Sequence, residues 1–465
     1  MSSGIATLLS IPASTSAPGE ASHSDLQALK DQANMSMPQI ELPEEEPIEE
    51  SALDRLSHYP YQVFVLSEYG RPIYVSCGQE DQLCAFFALI GVFVNRVRHN
   101  GDMLNSISSK DLHAHFLFRK PLILCIVSKR RDQLRSQLEV LFNQILSTIS
   151  RKQLETIYEK RGDNYDLRRL LGGTNKYMDG SLSSWHYDLA QISSAIRVLP
   201  MEAADRNALS TTLVNSITSA NVEGMLFAVV LAHRQIVCLS RLKKHLLDHK
   251  DLSLIINLVS NTSTIADAAI WTPICLPFFN DSGFLHAYIS SLWENSPAHL
   301  VLLSVDRNTL KDLHLIKEDF CAKIQSSPKI LNSFEAAVTS PQSFSPSNIG
   351  TGSEMLWHFL YRNISSRQIC LSASRPPFIG QEERVLLTRS ASRVYDILRS
   401  VDGIRQIFVR NKKEVLYVKA EDRYELQCVL SPFCSPTMAS ILGDRLLKAL
   451  KTYEGRYFIT HVPSF

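Results

Sequence analysis

One order of elements recurs three times along this chain: two short apolar strands, a helix, three more strands and a closing helix. That recurrence constrains the fold more than any composition value. A unit of about a hundred residues can bury a core of its own, so the pattern implies three like modules rather than one large catalytic domain. The first unit opens at Tyr61, where Val63 and Val65 alternate with Phe64 and Leu66 in a run apolar on both faces, as a central strand requires. Glu68-Tyr69-Gly70-Arg71-Pro72 then reads as a hairpin turn, with Gly70 supplying positive φ and Pro72 setting the return. Glu80 and Asp81 suit a helix N-terminus, and Leu83, Phe86, Phe87, Ile90, Val94 and Val97 mark one helical stripe behind them. Strands over 104–108, 113–118 and 122–127 follow, then a helix over 132–149 and further helical turns over 153–171.

The second unit repeats the order with strands over 226–231 and 235–239, a helix over 251–259, strands over 271–276, 285–292 and 300–305, and a helix over 310–324. The third has strands over 356–361 and 367–371, a helix over 382–398, strands over 404–409, 415–418 and 424–429, and a helix over 438–453. The expected organisation is therefore α+β. A disordered acidic, Ser/Pro-rich tail (1–58) precedes a first module (59–172), a helical connector (173–220), a second module (221–338), a Ser/Pro/Gly-rich linker (339–353) and a third module (354–465). Each module is expected to hold a five-stranded antiparallel sheet with flanking helices. Within the tail, Glu41, Glu44, Glu45, Glu46, Glu49 and Glu50 form an acidic cluster suited to a solubilising or a regulatory role.

Composition narrows the function. Forty-eight Lys and Arg against 47 Asp and Glu leave a net charge of +1, without the basic excess of a nucleic-acid binder. The nine cysteines show neither the spacing of a disulfide framework nor a C-x-x-C pair, which points to reduced thiols and a cytosolic chain. No stretch reaches the roughly 20 apolar residues that span a bilayer, and the N-terminus lacks a signal-peptide pattern. His113 and His115 share a strand face but lack a third ligand nearby, so no metal is expected. Gly172-Gly173 lacks the remainder of a phosphate-cradling loop, and neither G-x-S-x-G nor H-E-x-x-H occurs. No catalytic residue and no cofactor are expected.

The first-module helix is apolar nearly all round, because Cys84, Ala85, Ala88, Leu89, Val92 and Phe93 lie behind its main stripe. A helix on one face of a sheet needs a single apolar stripe, so the surplus face calls for a cover. A second protein or the chain's own other modules would serve. Sheet edges offer a second docking mode, by strand addition. Basic clusters at Lys129-Arg130-Arg131, Arg168-Arg169, Arg241-Leu242-Lys243-Lys244 and Lys412-Lys413 suit solvated faces or an anionic membrane. Of these, Lys129, Arg130, Arg131, Arg241, Lys243 and Lys244 are the membrane-facing candidates.

Several blocks resemble the SAND (vacuolar fusion protein MON) family: Ser67 to Tyr74, Tyr165 to Leu171, Trp271 to Pro277, Gly283 to Ser290, and His358-Phe359-Leu360-Tyr361. The similarity runs from about Tyr61 to the end of the sequence, although Ser372 to Gly380 finds no match. The resemblance implies three longin (roadblock-like) modules and a partner, the Ccz subunit, built of related ones. It implies that the pair acts as a guanine-nucleotide exchange factor for the late-endosomal and vacuolar Rab GTPase, downstream of the early-endosomal Rab. It also implies recruitment to endosome and vacuole membranes through phosphoinositides and anionic lipids. On that basis Gly70, Arg71, Pro72, Glu80, Asp81 and Asn95 are expected on the GTPase platform, and Ala85, Leu89, Val92 and Phe93 at the partner subunit. A longin scaffold without exchange activity, or an enzyme with its own pocket, are the rival classes.

Overall fold

The apolar run around Val63 forms β1 (Gln62–Ser67), buried throughout except at Ser67. It pairs with β2 (Pro72–Val75) and leads to α1 (Glu80–His99), β3 (Ser106–Ser108), β4 (His113–Arg119) and β5 (Leu122–Ser128). The computed structural model describes residues 60–465 apart from 111, 130–132, 162–165, 263–268 and 401–402, so the tail and its acidic cluster lie outside the described residues. The first sheet has the order β2-β1-β5-β4-β3 and is antiparallel throughout. Every residue of β5 is buried because it is central and covered on both faces. One face packs Phe64, Leu66 and Cys125 against Leu83, Phe87, Ile90 and Val94 of α1. The other packs against α2 (Leu134–Thr148) and the helices that follow it.

Those helices are α3 (Arg151–Arg161), α4 (Arg168–Leu171), α5 (Asn175–Tyr187) and α6 (Leu189–Ile192). The expected helical connector is interrupted here by a two-residue strand, β6 (Ile196–Arg197), and resumes as α7 (Ala203–Ala220). The second sheet follows with β7 (Met225–Ala232), β8 (Gln235–Arg241), α8 (His249–Ser260), β9 (Ile270–Leu276), the short α9 (Pro277–Asn280), β10 (Asp281–Ser291) and β11 (Ala298–Ser304). Its order, β8-β7-β11-β10-β9, repeats the first. One face lies under α7, α10 (Leu310–Gln325) and α11 (Pro328–Thr339), the other under α8.

The third module runs β12 (Leu356–Asn363), β13 (Gln368–Leu371), α12 (Gln381–Ser400), β14 (Gln406–Arg410), β15 (Val415–Glu421), β16 (Tyr424–Leu430), α13 (Pro436–Thr452) and α14 (Glu454–Tyr457). Its five antiparallel strands match the expectation. A sixth is added because β6 pairs in parallel with β13, Gln368 opposite Ile196, giving the order β14-β15-β16-β12-β13-β6. The Ser/Pro/Gly-rich linker is also more ordered than its composition suggests. Phe344 within it is fully buried, stacking edge-on with Phe359 and tilted against Tyr457.

The modules are stitched together by buried polar groups. Arg206 of α7 sends its guanidinium to the carbonyls of Leu199 (2.7 Å), Arg456 (2.9 Å), Gly455, Val237 and Phe458, joining the connector, the second module and the end of the third. Burial lowers its pKa to about 10, and five carbonyl acceptors keep so buried a cation tolerable. Residues past α14 run back to the second module. There Ile459 and Val462 pack beside Phe227 and Leu252, and β8 pairs with the chain end through Arg241 N–H to Pro463 O (3.2 Å) and Phe465 N–H to Arg241 O (3.2 Å).

Candidate docking site

The hairpin turn between β1 and β2 seats directly on α1. Gly70 adopts φ +83°, and a Cβ there would lie 2.9 Å from the Phe87 carbonyl oxygen, so two separate constraints require glycine. Gly91 faces it across the same contact, with a Cβ that would stand 3.2 Å from Gly70 Cα. This crossing lays the Tyr69 backbone against Gly91. The turn is closed by Gly70 N–H to Ser67 O (2.9 Å) and Ser67 N–H to Arg71 O (2.8 Å).

Beneath the turn, Glu68 gathers three groups. Its carboxylate accepts from Arg98 Nη1 (2.6 Å) and the Tyr158 hydroxyl (2.6 Å), while its carbonyl accepts from Asn95 Nδ2 (2.7 Å). Burial would raise the Glu68 carboxyl, but the Tyr158 and Arg98 hydrogen bonds and the Arg98 and Lys120 charges outweigh it and hold the group below the ordinary carboxylate range. On the far side of the turn, Arg168 Nε donates to Pro72 O (2.6 Å) and its guanidinium pairs with Glu80. A cavity of ≈ 410 Å³ opens here, with Glu68, Arg71, Pro72, Tyr158 and Arg168 in its wall. Thus Pro72 and Glu80 of the expected platform meet at Arg168, Arg71 lines the same cavity, Gly70 instead seats on α1, and Asn95 serves as a brace. Asp81 is exposed at the start of α1. Arg168, expected with Arg169 on a solvated or membrane-facing basic cluster, is instead spent on the turn, and Tyr158 carries no sequence signal because its partner lies 90 residues away.

The outer face of α1 is open. Leu89 is 48% exposed, Val92 62% and Phe93 47%, and Cys84, Ala85 and Ala88 are exposed beside them. No charge interrupts this face until Arg96 at its C-terminal end. Hiding the remaining half of each large side chain would contribute about 1 kcal/mol apiece.

The equivalent helices of the other modules are treated differently. In α8, Asp251, Leu252, Leu254, Ile255, Ile256, Asn257 and Val259 are buried, because its outer side lies against α2 and α5. Asn257 fixes that junction, its Nδ2 donating to Gln144 Oε1 (2.7 Å), Tyr177 O (2.9 Å) and Ser181 Oγ (3.2 Å). In α12, Leu387, Ala391 and Tyr395 share a core with Leu189 and Ile192 of α6, and the outer stripe carries Arg389 and Arg393.

The basic candidates separate. Lys243 and Lys244 are exposed, next to Leu246 at 74% exposure. Lys250 Nζ stands 4.4 Å from the Phe278 ring on the same side. Arg241, in contrast, gives its guanidinium to the Lys243 and His245 carbonyls (2.9 Å each), so it shapes the loop. Lys129 is exposed, and Arg130 and Arg131 lie outside the described residues. All nine cysteines are unpaired thiols, eight of them buried and Cys84 exposed. Among the described residues no three His, Cys, Asp or Glu side chains converge as a metal site, and no helix is long and apolar enough to cross a membrane.

Three sheets of one topology, each flanked by helices and joined by a shared connector, define a triple-longin protein. Family models agree module by module. The first longin domain of FUZ, MON1 and HPS1 matches residues 61–180, the second 223–322 and the third 355–454. Vacuolar fusion protein MON1 homolog A of Gallus gallus is 30% identical over 419 residues, covering 88% of this chain and 74% of the relative. Protein SAND of Takifugu rubripes is 31% identical over 85% of this chain and 75% of its own length, and the MON1 vacuolar fusion protein of Cryptococcus neoformans 28% over 89% and 67%. The chain belongs to the MON1/SAND family of vacuolar fusion proteins.

Proposed function

We propose that this chain acts in vacuolar and endosomal membrane fusion as one half of a two-chain guanine-nucleotide exchange factor. Its partner is a Ccz-family subunit of like modules, and its target is the late-endosomal and vacuolar Rab GTPase. The observation that carries this reading is the open apolar face of α1 beside helices that are covered or charged in the sister modules. An uncovered stripe of Leu89, Val92 and Phe93 suits a second subunit, and the hairpin around Gly70–Pro72 with its Arg168-lined cavity suits the GTPase.

Exchange asks no acid or base of this chain. A GTPase holds its nucleotide through Mg²⁺ and switch-loop contacts to the phosphates. A surface that grips the nucleotide-free form more tightly lowers nucleotide affinity by the same factor, and about 4 kcal/mol of preference weakens it roughly a thousandfold. The platform therefore works by shape and charge, with no covalent step and no cofactor. Recruitment runs through the early-endosomal Rab and through an anionic, phosphoinositide-bearing membrane. The latter is suited to the exposed Lys243 and Lys244 with the exposed Leu246 beside them in sequence. Chain and membrane then meet at the cytoplasmic surface of endosomes and vacuoles.

Release of a fluorescent guanine nucleotide from the late-endosomal Rab tests the proposal. Acceleration by the purified heterodimer is expected. A heterodimer that forms but leaves release at its spontaneous rate would make the chain a longin scaffold or adaptor.

A further inference from the structure

The sheet edges of the three modules are closed in different ways. β2 has α4 beside it, with Arg168 bonded to Pro72 O. β3 is three residues long. β8 is covered by Leu199 N–H to Ile236 O (2.9 Å) and by the chain end at Pro463 and Phe465. β9 carries Pro273, which cannot donate to an added strand. β13 is covered by β6. That leaves β14, Gln406–Arg410, an unbroken edge strand with no proline and no partner on its outer side among the described residues.

Its outward groups can be assigned. Ala420 N–H donates to Arg405 O (2.9 Å) and Asn411 N–H to Glu414 O (3.0 Å), while the register runs Ile407 to Val418 and Val409 to Leu416. Antiparallel alternation then turns the N–H and C=O of Gln406, Phe408 and Arg410 away from the sheet. Phe408 packs toward α13, so Ile407 and Val409 face the α12 side, where Val409 stays exposed. The rim is basic. Arg410, Lys412 and Lys413 are exposed at one end of the strand, and Arg389 and Arg393 are exposed on α12, whose Ser390 Oγ reaches Glu414 Oε1 (3.3 Å). Among the described residues here, Glu414 is engaged by Ser390, Asp422 by Arg405 (3.0 Å) and Glu421 by the Tyr424 hydroxyl (2.6 Å). Lys412, Lys413 and Arg393 have no ion-pair partner among the described residues. At the same end Arg410 Nη2 holds the Cys434 carbonyl, and Phe433 projects at 88% exposure.

We propose that β14 is a docking edge for an extended, acidic segment of a partner protein, one that alternates aliphatic and acidic residues. The segment adds to the third sheet as an antiparallel or parallel strand, pairing with the outward groups of Gln406, Phe408 and Arg410. Its aliphatic side chains lie beside Ile407 and Val409 on the α12 side, its carboxylates point to the opposite face and meet Arg410, Lys412 and Lys413, and Phe433 packs against its end. Charge sign selects the partner, because a basic segment would be repelled at this rim. A membrane would also meet an exposed phenylalanine beside lysines, but a membrane has no use for an unpaired strand edge, which is the feature all the other edges avoid.

The test is fluorescence anisotropy of the full chain with a short fluorescein-labelled peptide in which glutamate alternates with valine. The lysine–valine counterpart serves as the control. Saturable, salt-sensitive binding of the acidic peptide alone is expected. Two variants should weaken it at least tenfold without moving the thermal unfolding midpoint. Gln406→Pro removes an outward N–H but no ladder bond, and Lys412→Glu with Lys413→Glu reverses the rim charge in an exposed turn. The second pair keeps the test decisive should the proline disturb the strand. Absence of binding, or equal binding by both variants, overturns the proposal. So does binding to phosphatidylserine vesicles that is lost in Phe433→Ser while the peptide fails to bind, or peptide binding that requires removal of residues 1–58. Nucleotide release from the Rab stays at its original rate in both variants, so this result and that of the exchange assay are independent.

Discussion

The helices α1 and α8 occupy the same place in two sheets of the same order, and each is apolar nearly all round. In α8 the second apolar side is covered from within by α2 and α5, and a buried asparagine tells the two modules how to meet. In α1 the corresponding side is left to solvent. The contrast teaches that a surplus apolar face does not by itself mark an interface. It marks a face that needs a cover, and the first module's α2 and the connector's α5 supply that cover for one helix and not for the other. α12 shows a third solution, with arginines breaking the outer stripe.

Substituting both faces alike should break the contrast most sharply. Ile255→Asp buries an unpaired charge in α8 and should leave no folded chain, as judged by circular dichroism and soluble yield. Leu89→Asp with Phe93→Asp should leave helicity and thermal midpoint within error of the parent, while abolishing co-purification with the Ccz-family partner and nucleotide release by the pair. Retained pairing would remove α1 as the partner face.

Asn257→Ala should cost about 2–3 kcal/mol in denaturant unfolding, since it strands Gln144 Oε1 and two other acceptors at a buried junction. Gly70→Ala should cost about 1–3 kcal/mol, through positive φ and through the Phe87 carbonyl in the way of its Cβ.

The smallest effects are in pH dependence. The Glu68 carboxyl is held below its unfolded value, so its contribution is present above that value and is lost as pH falls through the folded one. Glu68→Gln should therefore flatten the acid limb of stability below about pH 4.5. Asp251 is the opposite case. Burial pushes its carboxyl up to about 7, against the backbone N–H groups of Phe278 and Phe279 that favour its charge. The folded state then holds a proton that the unfolded state releases from 3.8 upward. Stability falls as pH rises from about 4 to 7 and stays lost above. Denaturant titrations at pH 5 and 7.5 should show this difference in the parent and not in Asp251→Asn.

Much of the fold was legible because its signals are local. Alternation along Gln62–Ser67, the Gly70–Pro72 turn and the surplus face of α1 all sit within one element or one hairpin. What stayed hidden depends on partners far away in the chain. β6 is two residues long and acquires meaning only from Gln368 and Ile369. Arg206 reads as one more surface cation on a polar helix until five carbonyls from three regions surround it. Phe344 sits among Ser and Pro, a composition that signals a loose linker, and its burial against Phe359 and Tyr457 could not be inferred from its neighbours. At the docking site the same rule holds: the turn was visible, whereas Arg168 and Tyr158, which brace it, were not.

The return of residues 459–465 to β8 has a bearing on biosynthesis. A ribosome delivers the middle sheet well before the segment that finishes its outer strand, so that sheet waits, with an unfilled groove at Phe227 and Leu252, until translation of this stretch is over. Premature stop codons or bulky fusions placed there would wound the centre of the molecule rather than its periphery.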